Sequence, residues 1–152
     1  MPNIALKWNK TTDFADMSLE GSDLKTGDDL VSAAILSLFT WRRANPDDIL
    51  PDDYASKQGW WGDTFSSVEN DKIGSRLWLY RRKKITAQVI IELIEVCEEA
   101  LKWFVDDKVA LKIDVELKRF GLDGVAGPIR IFKHDGSLEV LQFSDIWRAL
   151  NA

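Results

Sequence analysis

The apolar residues of this chain follow two periods, one near 3.6 through its middle and one of two toward its end. Val31, Ala34, Ile35 and Leu38 stand at i, i+3, i+4 and i+7, the spacing of one buried helical face. Leu30, Leu36 and Phe39 widen that face, which predicts a helix covered on more than one side. Its start is expected near residues 26–28. There Thr26 and Asp29 are spaced as a capping box, and Asp28 and Asp29 place negative charge at the positive end of the helix dipole. Arg42 and Arg43 follow at the expected C-terminal end, which suits cations. A longer helix is predicted over residues 87–105, with Thr86 as its N-cap. Ile90, Leu93, Ile94, Cys97, Leu101 and Phe104 form its stripe, and Asp106 and Asp107 close it. Glu92, Glu95 and Glu99 share another arc, as a solvated acidic face or as the counterpart of a basic partner.

Past residue 108 the period falls to two. Val109, Leu111, Ile113, Val115 and Leu117 alternate with Ala110, Lys112, Asp114, Glu116 and Lys118, which predicts a half-buried strand. Residues 121–127 turn the chain, and Ile129 and Ile131 begin a second strand. His134-Asp135-Gly136-Ser137 supplies the Asp-Gly turn of a tight hairpin, with residues 138–143 returning. A short helix capped by Ser144 is expected to bring Ile146, Trp147 and Leu150 inward. At the other end, residues 4–8 read as a strand, and a turn-rich loop over 9–29 holds another near residues 16–19. The fold class is α+β: two main helices packed on a mostly antiparallel sheet with a C-terminal β-hairpin. Residues 1–152 read as a single domain.

Between the helices, residues 44–73 form the longest irregular stretch, with Pro46, Pro51, Gly59, Gly62 and acids at Asp47, Asp48, Asp52 and Asp53. Loops of this length in a small domain are uncommon and usually functional. Two adjacent tryptophans are costly to leave in water, so Gly59-Trp60-Trp61-Gly62-Asp63 is expected to anchor the loop. A short helical turn over residues 75–80 and the basic run Arg81 to Lys84 lead into the long helix.

Composition narrows the chemistry. Of 152 residues, seven are tryptophan, a residue that marks dense cores and interface anchors more than catalysis. A net charge of −5 argues against a general nucleic-acid binder, and no apolar run approaches the roughly 20 residues of a membrane span. Residues 1–10 lack the pattern of a secretory signal, and one cysteine, Cys97, fits a reducing compartment. One histidine, His134, in a turn is a poor supply for metal binding or for a nucleophile–base pair. The paired aspartates do not follow the alternating calcium-loop pattern, and no phosphate-cradling glycine loop occurs. Four basic residues at 81–84 can hold phosphate, but they read better as a solvated linker or a patch for an acidic protein surface. No cofactor and no metal are expected.

Three blocks resemble a known family in matching order. They are Ile35-Leu36-Ser37-Leu38-Phe39-Thr40-Trp41-Arg42-Arg43-Ala44, Gly59-Trp60-Trp61-Gly62-Asp63, and Gly74-Ser75-Arg76-Leu77-Trp78-Leu79. Residues 99–107, Glu-Ala-Leu-Lys-Trp-Phe-Val-Asp-Asp, resemble the same family's end to its long helix. The family is that of Mu-like phage baseplate proteins, the counterpart of the small sheath-initiating wedge protein of T-even phages. The resemblance covers roughly residues 20–120 and departs at Trp41, where an acidic residue is expected, and around Lys25. It implies a non-enzymatic subunit of a contractile tail baseplate, present in several copies in the virion and assembled in the host bacterial cytoplasm. Its implied partners are other wedge proteins and sheath or tube subunits, with neither nucleic acid nor membrane among them.

The candidate partner-facing residues are Trp41, Arg42, Arg43, Trp60, Trp61, Asp63 and Arg76, since tryptophan and arginine dominate binding hot spots. Each has an internal reading as well. The tryptophan pair can plug the loop onto the helices, the arginine pair can cap a helix, and Arg76 can pair with Asp63. Of these, Gly59 to Asp63 reads as the loop fastener, and Arg42, Arg43 and part of the tryptophan surface as the residues facing a partner. Two other function classes stand beside this one: a small regulatory binding module of related fold, like a bacterial anti-adaptor, and a peptidoglycan hydrolase.

Overall fold

The computed structural model describes residues 4–9, 11–12, 14–27, 29–51, 56–69, 71–143 and 147–148. Among the described residues it is an α+β fold with two long helices and antiparallel sheets. Helix α1 spans Asp29–Phe39 and α2 spans Ala87–Asp106, with two 3₁₀ turns between them at Trp61–Phe65 and Leu77–Tyr80. The α2 start is as the sequence predicts: Thr86 is extended, and its hydroxyl accepts from the Val89 N–H at 3.2 Å. For α1 the expected cap is corrected. The helix starts at Asp29, and Thr26 lies outside it in a bridge to Ile4, so the residue before the helix is Asp28, which lies outside the described residues. Arg42 and Arg43 are also displaced from their expected place. The helix ends at Phe39, so they meet no helix dipole and lie on extended chain.

The C-terminal third folds as a meander on β7, Gly124–Phe132. On one edge β5 (Lys112–Val115) and β6 (Lys118–Phe120) pair with it in one continuous register, from Lys112 opposite Phe132 to Phe120 opposite Gly124. They are two halves of one strand that bends at Glu116 and Leu117, opposite Gly127 and Pro128. The Glu116 N–H still donates to the Pro128 carbonyl at 3.0 Å across the bend. Gly127 is required there, because a Cβ would lie 1.8 Å from the Glu116 carbonyl oxygen. On the other edge β8 (Leu138–Phe143) forms the hairpin that the Asp-Gly turn predicts.

Alternation puts Val115, Leu117, Val125, Ile129, Ile131, Leu141 and Phe143 on the core face. Arg130 on the opposite face pairs with Asp114 and Glu116, each at 3.0 Å. The predicted phase fails only at the start, where Ala110 is buried while Val109 and Leu111 are exposed. There the chain is still leaving α2, and the Ala110 N–H donates to the Phe104 carbonyl.

Buried Leu93, Val96, Cys97, Ala100, Leu101 and Phe104 of α2 join α1 and the sheet in one core with Leu77 to Tyr80. The N-terminal strands do not join that sheet. β1 (Leu6–Asn9) pairs with β2 (Phe14–Met17), and β3 (Leu19–Glu20) with β4 (Asp23–Leu24), as separate two-stranded ladders. What docks them is Trp8, stacked on Phe39 at 4.7 Å and edge-on to Phe143 at 4.9 Å, with the Leu6 N–H on the Ser32 hydroxyl. Of the expected last helix, Trp147 is helical and buried, while Ser144, Ile146 and Leu150 lie outside the described residues.

Two outcomes follow from this packing. Gly127→Ala forces the bent strand away from β7, and its unfolding free energy in urea is expected to fall by about 2–4 kcal/mol. Burial pushes the Cys97 thiol up to about 12, so at pH 8 iodoacetamide should label it only as fast as the domain unfolds. Rapid labelling of the folded chain would contradict this burial.

Candidate functional site: an arginine clasp beneath exposed tryptophans

Residues 41–44 run as an extended segment beside Ser75, with a parallel bridge between Trp41 and Ser75. The Arg42 N–H donates to the Ser75 carbonyl at 3.0 Å, and the Ser75 N–H to the Thr40 carbonyl at 2.9 Å. Extended chain alternates its side chains, so Arg42 and Ala44 turn inward while Trp41 and Arg43 turn out. Gly74 permits the close approach. It sits at φ +92°, and a Cβ there would meet the Thr40 carbonyl oxygen at 2.3 Å. The buried Ser75 hydroxyl donates to the Leu38 carbonyl, one of those the helix end leaves unpaired, and accepts from the Leu77 N–H at 3.2 Å.

Under this segment lies a four-residue ion network. One carboxylate, Glu99 on α2, accepts from both Arg42 (3.2 Å) and Arg76 (2.7 Å). Arg76 also donates to Asp48 at 2.8 Å, and Asp48 in turn holds the Asn45 N–H at 2.6 Å. Arg42 donates further to the Lys72 carbonyl at 3.3 Å, and its own carbonyl accepts from the Trp78 indole at 2.8 Å. Burial opposes the Arg76 charge, but hydrogen bonds to Glu99 and Asp48 outweigh it and hold the guanidinium more firmly protonated than usual. Beside it, burial together with Glu92 pushes the Tyr80 hydroxyl up to about 12, so it remains neutral. The network ties α2, the segment after α1, the second 3₁₀ turn and the long loop to one another.

The sequence-predicted residues therefore divide differently from expectation. Arg42 and Arg76 sit half-buried in the clasp, and Arg76 pairs with Asp48 and Glu99 instead of Asp63. Asp63 closes the long loop on itself by accepting the Ile73 N–H at 3.2 Å. The loop is fastened by backbone as well as by charge: the Ala44 N–H donates to the Lys57 carbonyl at 2.8 Å, and Gly59 packs against Arg43. The tryptophans do not plug it. Trp61 is 74% exposed and Trp60 44%, with Trp60 lying across Gly62 and the two rings 5.6 Å apart. Trp41 is 45% exposed, with Arg81 over its ring at 6.0 Å. Arg43 lies outside with one long contact to the Gln58 carbonyl.

Sequence reasoning missed Asp48 and Glu99 as clasp members. The signals for Glu99 were its place on the acidic arc of α2 and at the head of the 99–107 block, and Asp48 read as one more loop acid. Among the described residues, no group of three or more His, Cys, Asp and Glu side chains converges as a metal site, and no helix is long and apolar enough to cross a membrane.

Fold and site together define a small α+β scaffold whose charged side chains help hold its loops and whose Trp41, Trp60, Trp61 and Phe65 rings are left outside. The profile of the family described as phage protein GP46 matches residues 30–138. Baseplate protein gp46 of Escherichia phage Mu is 40% identical over 103 residues, covering 68% of each chain. Mu-like prophage FluMu protein gp46 of Haemophilus influenzae is 29% identical over 147 residues, 97% of this chain and 98% of that one. The chain belongs to the phage protein GP46 family of Mu-like baseplate proteins, as its tryptophan and arginine blocks suggest.

If Glu99 is the shared counter-charge of the clasp, Glu99→Ala leaves two half-buried guanidinium groups short of a partner. A loss of about 1–3 kcal/mol in urea unfolding is expected, the lower end reflecting its partial exposure. Lys102→Ala, which breaks only the exposed Lys102–Asp106 pair, should cost about 0.5 kcal/mol or less. Equal costs for the two would remove the clasp from the account.

Proposed function

We propose that this chain is a structural, non-catalytic subunit of a contractile phage-type tail baseplate. In this reading it is assembled in the host bacterial cytoplasm, carried in the virion tail, docked on a larger wedge protein, and placed to help start the sheath. The observation that carries the docking role is the outward pair Trp41 and Arg43, with Trp60 and Trp61 on the adjoining loop, all held on clasped backbone. Trp and Arg are the side chains most often found at binding hot spots, and a fixed backbone lowers the entropy lost when they engage. Arg42, Arg76 and Asp63 support this surface from within instead of forming it. The family of the chain supports the baseplate setting, since the Mu relative is by name a baseplate protein.

For the sheath or tube contact, strand edges are the offered geometry. Among the described residues β2 pairs only with β1 and β8 only with β7, so each has an outer edge open to an added strand. A two-stranded ladder such as β1–β2 is marginal alone, and an added strand would stabilise it.

The test separates surface from clasp. Trp41→Ala/Arg43→Ala should leave the purified chain folded, with an unchanged circular dichroism spectrum and a melting temperature lowered by no more than a few degrees, since Trp41 also touches Trp78. In a phage that depends on this chain, it should lower tail assembly at least tenfold, scored by electron microscopy and titre. Normal particles from that variant would remove Trp41 and Arg43 from the docking role. Arg42→Ala is the contrasting change, because it acts through loss of stability.

A further inference from the structure

A second surface lies on the other side of Trp60. An open cleft of about 940 Å³ runs between the Trp60–Ser67 loop, α1 and the last turns of α2. Its apolar walls are Leu36, Trp60, Phe65 and Trp103, all exposed, with Phe65 at 79%. Its floor includes Ala33, Gly74 and Ala100, small residues that let a bound chain come close to the backbone. The walls are held in place. The Trp103 indole donates to the Ser37 hydroxyl at 3.1 Å, which donates to the Ala33 carbonyl at 2.8 Å, and Phe65 meets the edge of Trp61 at 6.2 Å.

The charge at the rim gives the occupant its sign. Arg42 is already paired with Glu99, and Lys102 with Asp106. Among the described residues, that leaves Asp63, Asp71 and Asp107 around the cleft against Lys72. Four exposed apolar side chains over a small-residue floor, ringed by net negative charge, suit a protein segment with apolar anchors flanked by lysine or arginine. The chain's own basic run does not match that need, since Arg81 lies over Trp41, Lys83 lies over Tyr80 at 4.4 Å, and Arg82 has an interaction of its own.

We infer that the cleft between Leu36, Trp60, Phe65 and Trp103 is a docking groove for a basic amphipathic segment of a different protein. The inference rests on the reading of the chain as an assembly subunit, and names a second contact separate from Trp41 and Arg43.

Two synthetic amphipathic peptides serve as probes, identical in their leucine and phenylalanine positions, with lysine at every charged position in one and glutamate in the other. Binding is read by calorimetry on the full chain. The lysine peptide should bind at least tenfold more tightly than the glutamate peptide, and its advantage should shrink as salt is raised. Phe65→Ser should weaken it at least tenfold with an unchanged melting temperature, because Phe65 is a surface residue. Asp71→Lys/Asp107→Lys should reverse the preference between the two peptides. Equal binding of both peptides, or lysine-peptide binding untouched by Phe65→Ser and by the double variant, would overturn the groove. So would a concentration-dependent dimer in sedimentation that Phe65→Ser alone disperses, since the occupant would then be a second copy. The peptide assay needs no phage particle, so it can fail while the Trp41/Arg43 assembly test succeeds, or the reverse.

Discussion

The carboxylate of Glu99 is the constraint on which the middle of this protein depends. The described residues between 40 and 86 form no long helix or strand, so their position relative to α1 and α2 must be fixed by side chains and short backbone bridges. Glu99 does this by accepting from Arg42 with one oxygen and from Arg76 with the other, and Arg76 extends the chain of charge to Asp48. Guanidinium groups are suited to the task because their donors are planar and fixed, so two of them can share one carboxylate and still reach further acceptors. An isolated exposed pair would contribute little. Here the pairs are partly buried and linked, and losing the central member leaves two cations short of a counter-charge.

Holding the loops by charge and backbone has a consequence for the aromatic residues. Trp78 is buried and its indole is used on the Arg42 carbonyl, and Trp8 is committed to Phe39 and Phe143. Trp41, Trp60, Trp61 and Phe65 are not needed to close the core, and they lie at the surface. Large exposed rings on fixed backbone are unfavourable for a free monomer and favourable for a subunit that is completed by neighbours. The thin N-terminal ladders have the same character: they meet the core through Trp8 and leave Phe14, Met17 and Leu19 outside.

Wherever one local period dominated, the sequence was legible. The α2 stripe, the Thr86 cap, the alternation through Ile129 and Ile131, and the Asp-Gly turn all follow from contacts within a few residues. The family could be read from short blocks for a related reason. Gly74, Ser75 and Trp78 are each demanded by a tight backbone approach that few other residues satisfy. The single strand split into β5 and β6 was less legible, because its bend depends on Gly127, a residue on the strand opposite.

By itself, then, the sequence determined the α+β class, both helices, the C-terminal hairpin and the kinship, since each rests on local spacing or on residues with unique backbone requirements. Only the tertiary structure decided what the charged and aromatic residues do. Arg42 and Arg43 are adjacent and chemically identical, yet one is locked and the other faces outward, because extended chain turns neighbouring side chains to opposite sides. Asp48 and Glu99 stand a third of the chain apart and meet through Arg76. Nothing in spacing along a chain records such a meeting; it is set by how α2 packs against the segment that follows α1.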